Sequence, residues 1–581
     1  MNHNEKAEVC PTVSSESPKE TGPALDRRRF LGLAGAAAAA VTAGVPSLSA
    51  TAGTLEVETA AARKPQPGVS ARARARRERA YHLRHQAALN HLNAPYQQHQ
   101  ANDDEERYSN RIGNFSKGLP HNAYGEVDES AYAMLLKAAD SGDPDDFLAI
   151  PTSGGKKLTN PQAGLAFDLE GMDAQDLAVP PHPSLRSARA AGEAVELYWM
   201  ALLRDVNFLE YEGSPDVAAA VADLNRLKDF RGPKEDGKVT ARSLFRDPLP
   251  GTDNGPYISQ FMWKPTPYGA EYIDRRMLTY LPGSDHVTSY SDWIETQNGF
   301  GDFFVHHDPE RRYIRNGRDL AEWVHNDVLF QAYFNACLIL STPLDPFSPP
   351  TGGGIGAPFN SGYPYRRVPN QAGFATFGDP YEKTILAEVS TRALKATWFQ
   401  KWFVHRRLRP EQYAGRVHNQ IEHDRYPGVL HNDVLSSPAL ERVFSKYGTY
   451  LLPQAYPEGA PTHPSYTAGH ATVAGACVTI LKALFREDYI IPTPVIPTPD
   501  GLALQPYQGP PLTVGGELNK LASNIATGRN IAGVHWRSDA TESLKLGEAL
   551  AIAILQDQKA CYNERFDGFT FTKFDGTRVT V

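Results

Sequence analysis

The sequence predicts a mainly α fold built of helix bundles, on three observations. Several long segments repeat apolar residues at offsets of three and four, as one buried face of an α-helix does. Period-two alternation, the mark of a half-buried strand, is scarce in those segments. Pro and Gly gather in two long connections, and the stretch 385–409 contains neither. With 581 residues, 41% hydrophobic and 22% charged, the chain has the size and balance of a globular protein with a large core.

The elements follow in chain order. From Glu193 onward, Val195, Tyr198, Trp199, Leu202 and Val206 mark one helical face. Leu320, Val324 and Val328 open a second helix, expected to continue through Leu338. Residues 385–409 contain no Gly or Pro and are closed by Pro410, so they read as one long helix. Val473, Cys477, Ile480, Leu481 and Leu484 repeat the pattern after His470. The last long helix is expected over 540–557, with Asp539 and Glu542 as a capping pair. The acidic run 103–106 reads as a solvated helix start. Two Pro- and Gly-rich connections, 341–381 and 489–516, are long enough to be walls or lids, or else surface decoration and oligomer contacts. The glycines at 352–356 lack the strand and helix of a phosphate loop.

Residues 1–52 carry Arg27-Arg28-Arg29, a short alanine-rich apolar run and a small-residue site at Ala50-Thr51-Ala52. That pattern is a twin-arginine signal peptide, which exports folded proteins and implies a periplasmic or secreted protein without a stable membrane anchor. Residues 53–102 form a basic, polar, exposed and partly helical arm, in which His82, His85, His91 and His99 share no single face. Residues 103–581 form the catalytic domain. A net charge of −8 argues against nucleic acid as partner. Cys10, Cys337, Cys477 and Cys561 are too scattered for a disulfide framework or a thiolate metal site, and Cys477 falls in a core pattern. Structural calcium stays open, since no acidic loop stands out.

The candidate site rests on three segments within 401–539. Lys401, His405 and Arg409 are four residues apart in turn, and on one continuous helix they would form a single stripe. Arg406 and Arg407 would point elsewhere, as surface or ion-pair residues. His463-Pro-Ser-Tyr-Thr-Ala-Gly469-His470 leads into a helix start whose free N–H groups suit an anion, and Gly469 would admit it close to the backbone. Gly528-Arg529 and His535 stand six residues apart, with Gly528 and Gly533 suggesting a turn that brings them together and Asp539 placed to orient His535. Three cations, two histidines and a helix start are the makings of a site for a tetrahedral oxyanion.

In that order the motifs resemble those of the vanadium-dependent haloperoxidases and the related type 2 phosphatidic acid phosphatases. The seven-residue gap between Lys401 and Arg409, and His463 seven residues before His470, are most similar to the bromoperoxidases. The resemblance implies a two-bundle α fold and a vanadate cofactor. His535 would bond vanadium, and Lys401, Arg409, Arg529 and the Gly469 N–H would hold its oxygens. His470 would be the acid/base, His463 would sit near the halide, and Lys401 would take part in activating the oxidant. The implied reaction oxidises bromide, or iodide or chloride, with hydrogen peroxide to hypohalous acid, which halogenates small organic acceptors while the metal keeps its oxidation state as a Lewis acid. A homo-oligomer is expected. The alternative on the same scaffold is an acid phosphatase with a phosphohistidine at His535 and His470 as general acid. The family often has Ser where this chain has Ala468 and Gly528; losing the Ala468 hydroxyl would cost about 1 to 3 kcal/mol of oxyanion binding.

Overall fold

In the computed structural model the described residues are 70–301, 305–344 and 353–581. The expected signal peptide with Cys10, the first part of the arm through residue 69, and residues 302–304 and 345–352 lie outside them. The described chain is predominantly helical. Its helices include α1 (Ala71–Leu92), α2 (Glu129–Ser141), α3 (Ala188–Leu202), α4 (Gly317–Trp323), α5 (Gln331–Ser341), α6 (Asp379–Phe399), α7 (Pro410–His423), α8 (Gly469–Leu484), α9 (Val514–Ile531) and α10 (Arg537–Cys561). Strands are confined to short antiparallel hairpins, β1 (Thr266–Tyr268) with β2 (Glu271–Ile273), β3 (Val495–Pro497) with β4 (Leu504–Pro506), and β5 (Thr570–Thr572) with β6 (Arg578–Thr580).

Helices α6, α8, α9 and α10 pack on one another as a bundle. Its centre is α8, where all residues but His470 are buried. Glycine lets α8 and α10 approach backbone to backbone: a Cβ on Gly475 would lie 2.1 Å from the Leu544 carbonyl oxygen, and one on Gly547 2.0 Å from that of Thr472. This crossing sets the start of α10, and hence His535 just before it, against the start of α8. Cys477 is buried here with its thiol against the Ser390 hydroxyl, and Cys337, Cys477 and Cys561 are all unpaired.

Several expected elements differ. The helix over 385–409 ends at Phe399; residues Gln400–His405 form one π-helical turn, and Arg406 is left-handed with φ +38°. Arg407 then bridges in extended pairing to Asn114. The helix from Leu320 through Leu338 is two helices, α4 and α5, with an open stretch of 324–330 between them. Helix α9 arises where the second Pro-rich connection was expected to end, and that connection folds into the β3–β4 hairpin. Helix α10 begins at Arg537, so Asp539 lies in its first turn and accepts from the Trp536 N–H at 3.2 Å, in place of pairing with Glu542. In the acidic run, Asp104 and Glu105 are buried: Glu105 pairs with Arg406 at 2.6 Å. Helix α1 is exposed along its length, but His99 beyond it packs edge-on against Phe399.

Candidate functional site

Each segment delivers its side chain through a local break in regular structure. The π turn aims Lys401 inward, where Nζ donates to the carbonyls of Pro464 at 2.6 Å and Ser465 at 2.9 Å. The left-handed Arg406 then turns the chain, and Pro410 opens α7, which leaves Arg409 at the helix N-cap. Lys401 and Arg409 therefore converge from either side of a bend; they do not share a helical stripe. His405 turns away and packs against Tyr466 and His182 at ring distances of 4.8 and 5.9 Å. Arg407 is a buried ion-pair residue, and Arg406 is a partly buried one paired with Glu105.

Arg409 ties the site together. Its Nε donates to the His463 carbonyl at 2.9 Å, its Nη2 to His463 Nδ1 at 2.9 Å, and its Nη1 to the Val534 carbonyl at 2.7 Å and His535 Nε2 at 3.0 Å. A guanidinium can only donate, so both ring nitrogens it meets are acceptors. The proton of His535 is then on Nδ1, which donates to Asp539 at 2.9 Å, and that of His463 is on Nε2. Trp398 lies over the His463 ring at 4.9 Å between centroids. Arg529, in the last turn of α9, donates to the carbonyl of Val324 at 3.0 Å and the hydroxyl of Tyr456 at 3.2 Å. Gly528 lies within that helix, and the turn to His535 is made by Gly533 alone, at φ +86°.

His470 lies in the first turn of α8, a helix with no side-chain cap, and its Nε2 meets Asp327 at 3.0 Å. Asp327 comes from the stretch that interrupts the α4–α5 segment, so that interruption supplies a site residue.

The electrostatics point one way. Lys401, Arg409 and Arg529 are buried and their hydrogen bonds run to carbonyls, imidazoles and a phenol. Burial first, then the Arg409 and Arg529 charges, pushes Lys401 well below the usual lysine range. Burial lowers Arg409 to about 9. Burial and the surrounding cations likewise hold His463 and His535 well below the ordinary histidine value. The Arg529 Nε is buried with no hydrogen-bond partner among the described residues. Three desolvated cations gathered at one place describe a cage built for a multiply charged anion. Among the described residues no three His, Cys, Asp or Glu side chains converge as a cation site, those of the arm histidines included.

Comparison with known proteins follows from this geometry. Residues 385–564, which span α6 to α10, match the family described as the VCPO second helical-bundle domain. A vanadium-dependent bromoperoxidase of Corallina officinalis is 37% identical over 555 residues, covering 81% of this chain and 91% of that protein. The chain belongs to the vanadium-dependent haloperoxidases. A vanadium-dependent bromoperoxidase of Ascophyllum nodosum is 34% identical over 493 residues, covering 80% and 86%. The solved structure of the second vanadate-dependent bromoperoxidase of Ascophyllum nodosum, described as homohexameric, superposes with a TM-score of 0.81 at 31% identity over 93% of this chain and 95% of that one.

As a haloperoxidase the chain departs from the family at two expected positions, and the structure separates them. Gly528 faces away from the site: a Cβ there would lie 3.0 Å from Val324 and 3.2 Å from Leu320. Ala468 is the N-cap of α8, where its N–H is received by the Ser543 hydroxyl at 2.8 Å. Sequence reasoning missed the residues that hold the others in place. Asp327 and Tyr456 carry no motif of their own. Ser465 donates to Asp539, which also receives Arg407 at 2.7 Å, and Arg407 reaches Glu193 at 3.0 Å. Only Ser465 was locally visible, two residues after His463.

Proposed function

We propose that the protein is a vanadate-dependent bromoperoxidase that converts bromide, hydrogen peroxide and a proton into hypobromous acid and water. The observation that carries this reading is the cage of three buried cations around His535, within a chain whose relatives are named bromoperoxidases. The donor set suits vanadate: Lys401, Arg409 and Arg529 would neutralise its oxygens, Gly469 would offer a backbone N–H at the start of α8, and the lone pair of His535 Nε2 would take the metal. Bound vanadate would supply a Lewis acid of constant oxidation state that makes peroxide electrophilic.

The protein's own groups then have distinct tasks. Asp539, braced by Arg407, Ser465 and the Trp536 N–H, keeps the His535 proton on Nδ1, so that Nε2 carries the lone pair that now accepts from Arg409. Asp327 holds His470 through Nε2, which leaves Nδ1 to take and return the protons of peroxide and water. Lys401 adds charge stabilisation as negative charge develops. Arg409 fixes His463 with its Nε2–H as the donor, beside Trp398, and that N–H would meet the halide. Iodide and chloride are the other candidate halides, and small organic acceptors would be halogenated by the released hypohalous acid.

The protein would be exported by its twin-arginine signal to the periplasm or the medium and would act as a homo-oligomer. The test is to load purified apoprotein with orthovanadate and follow bromination of a dimedone dye beside aryl phosphate hydrolysis. Bromination that appears with vanadate and fades with added phosphate supports the reading. Ester hydrolysis without halide oxidation overturns it in favour of the phosphatase chemistry.

A further inference from the structure

Exposed large apolar side chains gather on the surface around the turn Pro161–Leu165, which packs on the end of α6. Leu148 is 81% exposed, Phe167 71% and Leu169 95%. They belong to neighbouring pieces of surface. The turn Pro161–Leu165 packs on Pro144–Leu148, and Leu165, itself exposed, lies 3.5 Å from where a Cβ on Gly142 would be. Phe167 and Leu169 alternate with Asp168 and Glu170, and those two carboxylates pin the segment to Lys395 of α6 at 2.8 Å and Arg84 of α1 at 3.0 Å. Asp168 and Glu170 are thus engaged in ion pairs, the second of them fully at the surface, while Phe167 and Leu169 stay exposed. Clustered apolar exposure of this kind marks an association surface.

The flanks are oppositely charged. On one side runs α1, where Arg74, Arg76, Arg77 and Arg79 are all exposed and Glu78 is the single acid among them. On the other side Asp140, Asp143 and Asp145 are exposed at the end of α2 and the following turn. A stripe that reads acidic, apolar, basic is complementary to itself after a half-turn, which is the requirement for contact between identical copies. The basic helix also stands against the net charge of the whole chain, which is −8.

We propose that this stripe is a two-fold interface between copies of the chain, with α1 of each copy laid against the acidic turn of the other and Leu148, Leu165, Phe167 and Leu169 at its centre. The proposal rests on the homo-oligomer reading above and names its surface. Sedimentation of the full chain at moderate salt tests it. The wild type is expected to sediment above the monomer mass, Phe167→Asp with Leu169→Asp to fall to a smaller species, and Arg76→Glu with Arg77→Glu to weaken association at least tenfold. Adding Asp140→Lys and Asp145→Lys to the last variant is expected to restore assembly, which a misfolded protein would not do. Variants that assemble like the wild type would overturn this interface while leaving the oligomer intact, whereas a monomeric wild type would overturn the oligomer itself. Hydrogen exchange on the full chain diluted to monomer completes the test: protection at 165–170 that persists on dilution would mean the chain's own leading residues cover the stripe, and the proposal fails.

Discussion

Replacing Asp539 with Asn is the sharpest test of how His535 is held. In the structure the two carboxylate oxygens divide four donors. One meets Arg407 at 2.7 Å; the other takes His535 Nδ1 at 2.9 Å, the Trp536 N–H at 3.2 Å and the Ser465 hydroxyl. An amide has one acceptor end and one donor end, so in either orientation its NH2 faces a donor. If the amide oxygen stays with His535, the NH2 abuts Arg407, which keeps Glu193 at 3.0 Å. If it turns to Arg407, the imidazole loses its acceptor and the Nδ1 proton is no longer fixed. Each lost bond to the charged carboxylate is worth about 1.5 to 3 kcal/mol. Loss of such a partner behind a metal-binding histidine lowers metal affinity by roughly 10- to 100-fold. Equilibrium dialysis of orthovanadate against the variant, with circular dichroism confirming the fold, measures it. Unchanged vanadate affinity in a folded Asp539→Asn protein would refute the reasoning.

Four further outcomes are expected. His535→Ala should lose vanadate retention in dialysis, while His463→Ala should retain vanadate and change the halide dependence of bromination. Ala468→Ser adds a capping hydroxyl at the start of α8 and should raise the melting temperature, by about 1 kcal/mol in stability, and tighten vanadate binding. Gly528→Ser should instead lower the melting temperature, because its Cβ would press on Val324 at 3.0 Å, at a cost of about 1 to 3 kcal/mol, with no gain in vanadate binding. His405 is lowered to about 3 by burial and by Arg406, so the unfolded chain takes up its proton first as pH falls. Its contribution to stability is present above about pH 6.5 and is lost toward pH 3, at about 1.4 kcal/mol per pH unit. Thermal melts at pH 7 and 5 should show a shallower decline for His405→Leu than for the wild type.

Legibility in the sequence followed the range of the interactions. Helical periodicity marked α3, α8 and most of α6 because a bundle face repeats locally. The site cations were visible as motifs in fixed order. What periodicity could not show was where a helix stops without Gly or Pro. Residues 400–409 contain neither, yet the chain leaves the α-helix at Phe399, and Arg406 is held in its left-handed turn by Glu105 from 301 residues earlier. The same limit hid the gap between α4 and α5, where Val324 offers its carbonyl to Arg529 and Asp327 its carboxylate to His470. Helix α9 was missed because Gly515, Gly516 and Gly528 lower its intrinsic propensity; burial against α8 and α10 overrides that.

Three like charges shut away from water repel one another for as long as nothing negative lies between them. A guest that binds only the folded chain relieves that repulsion and adds its own binding energy, worth about 2.7 kcal/mol when its concentration is a hundred times its dissociation constant. The cage is therefore also a thermostat on the fold: growth medium poor in oxyanions should yield a protein that melts earlier, and phosphate should substitute for vanadate as a stabiliser without sustaining turnover.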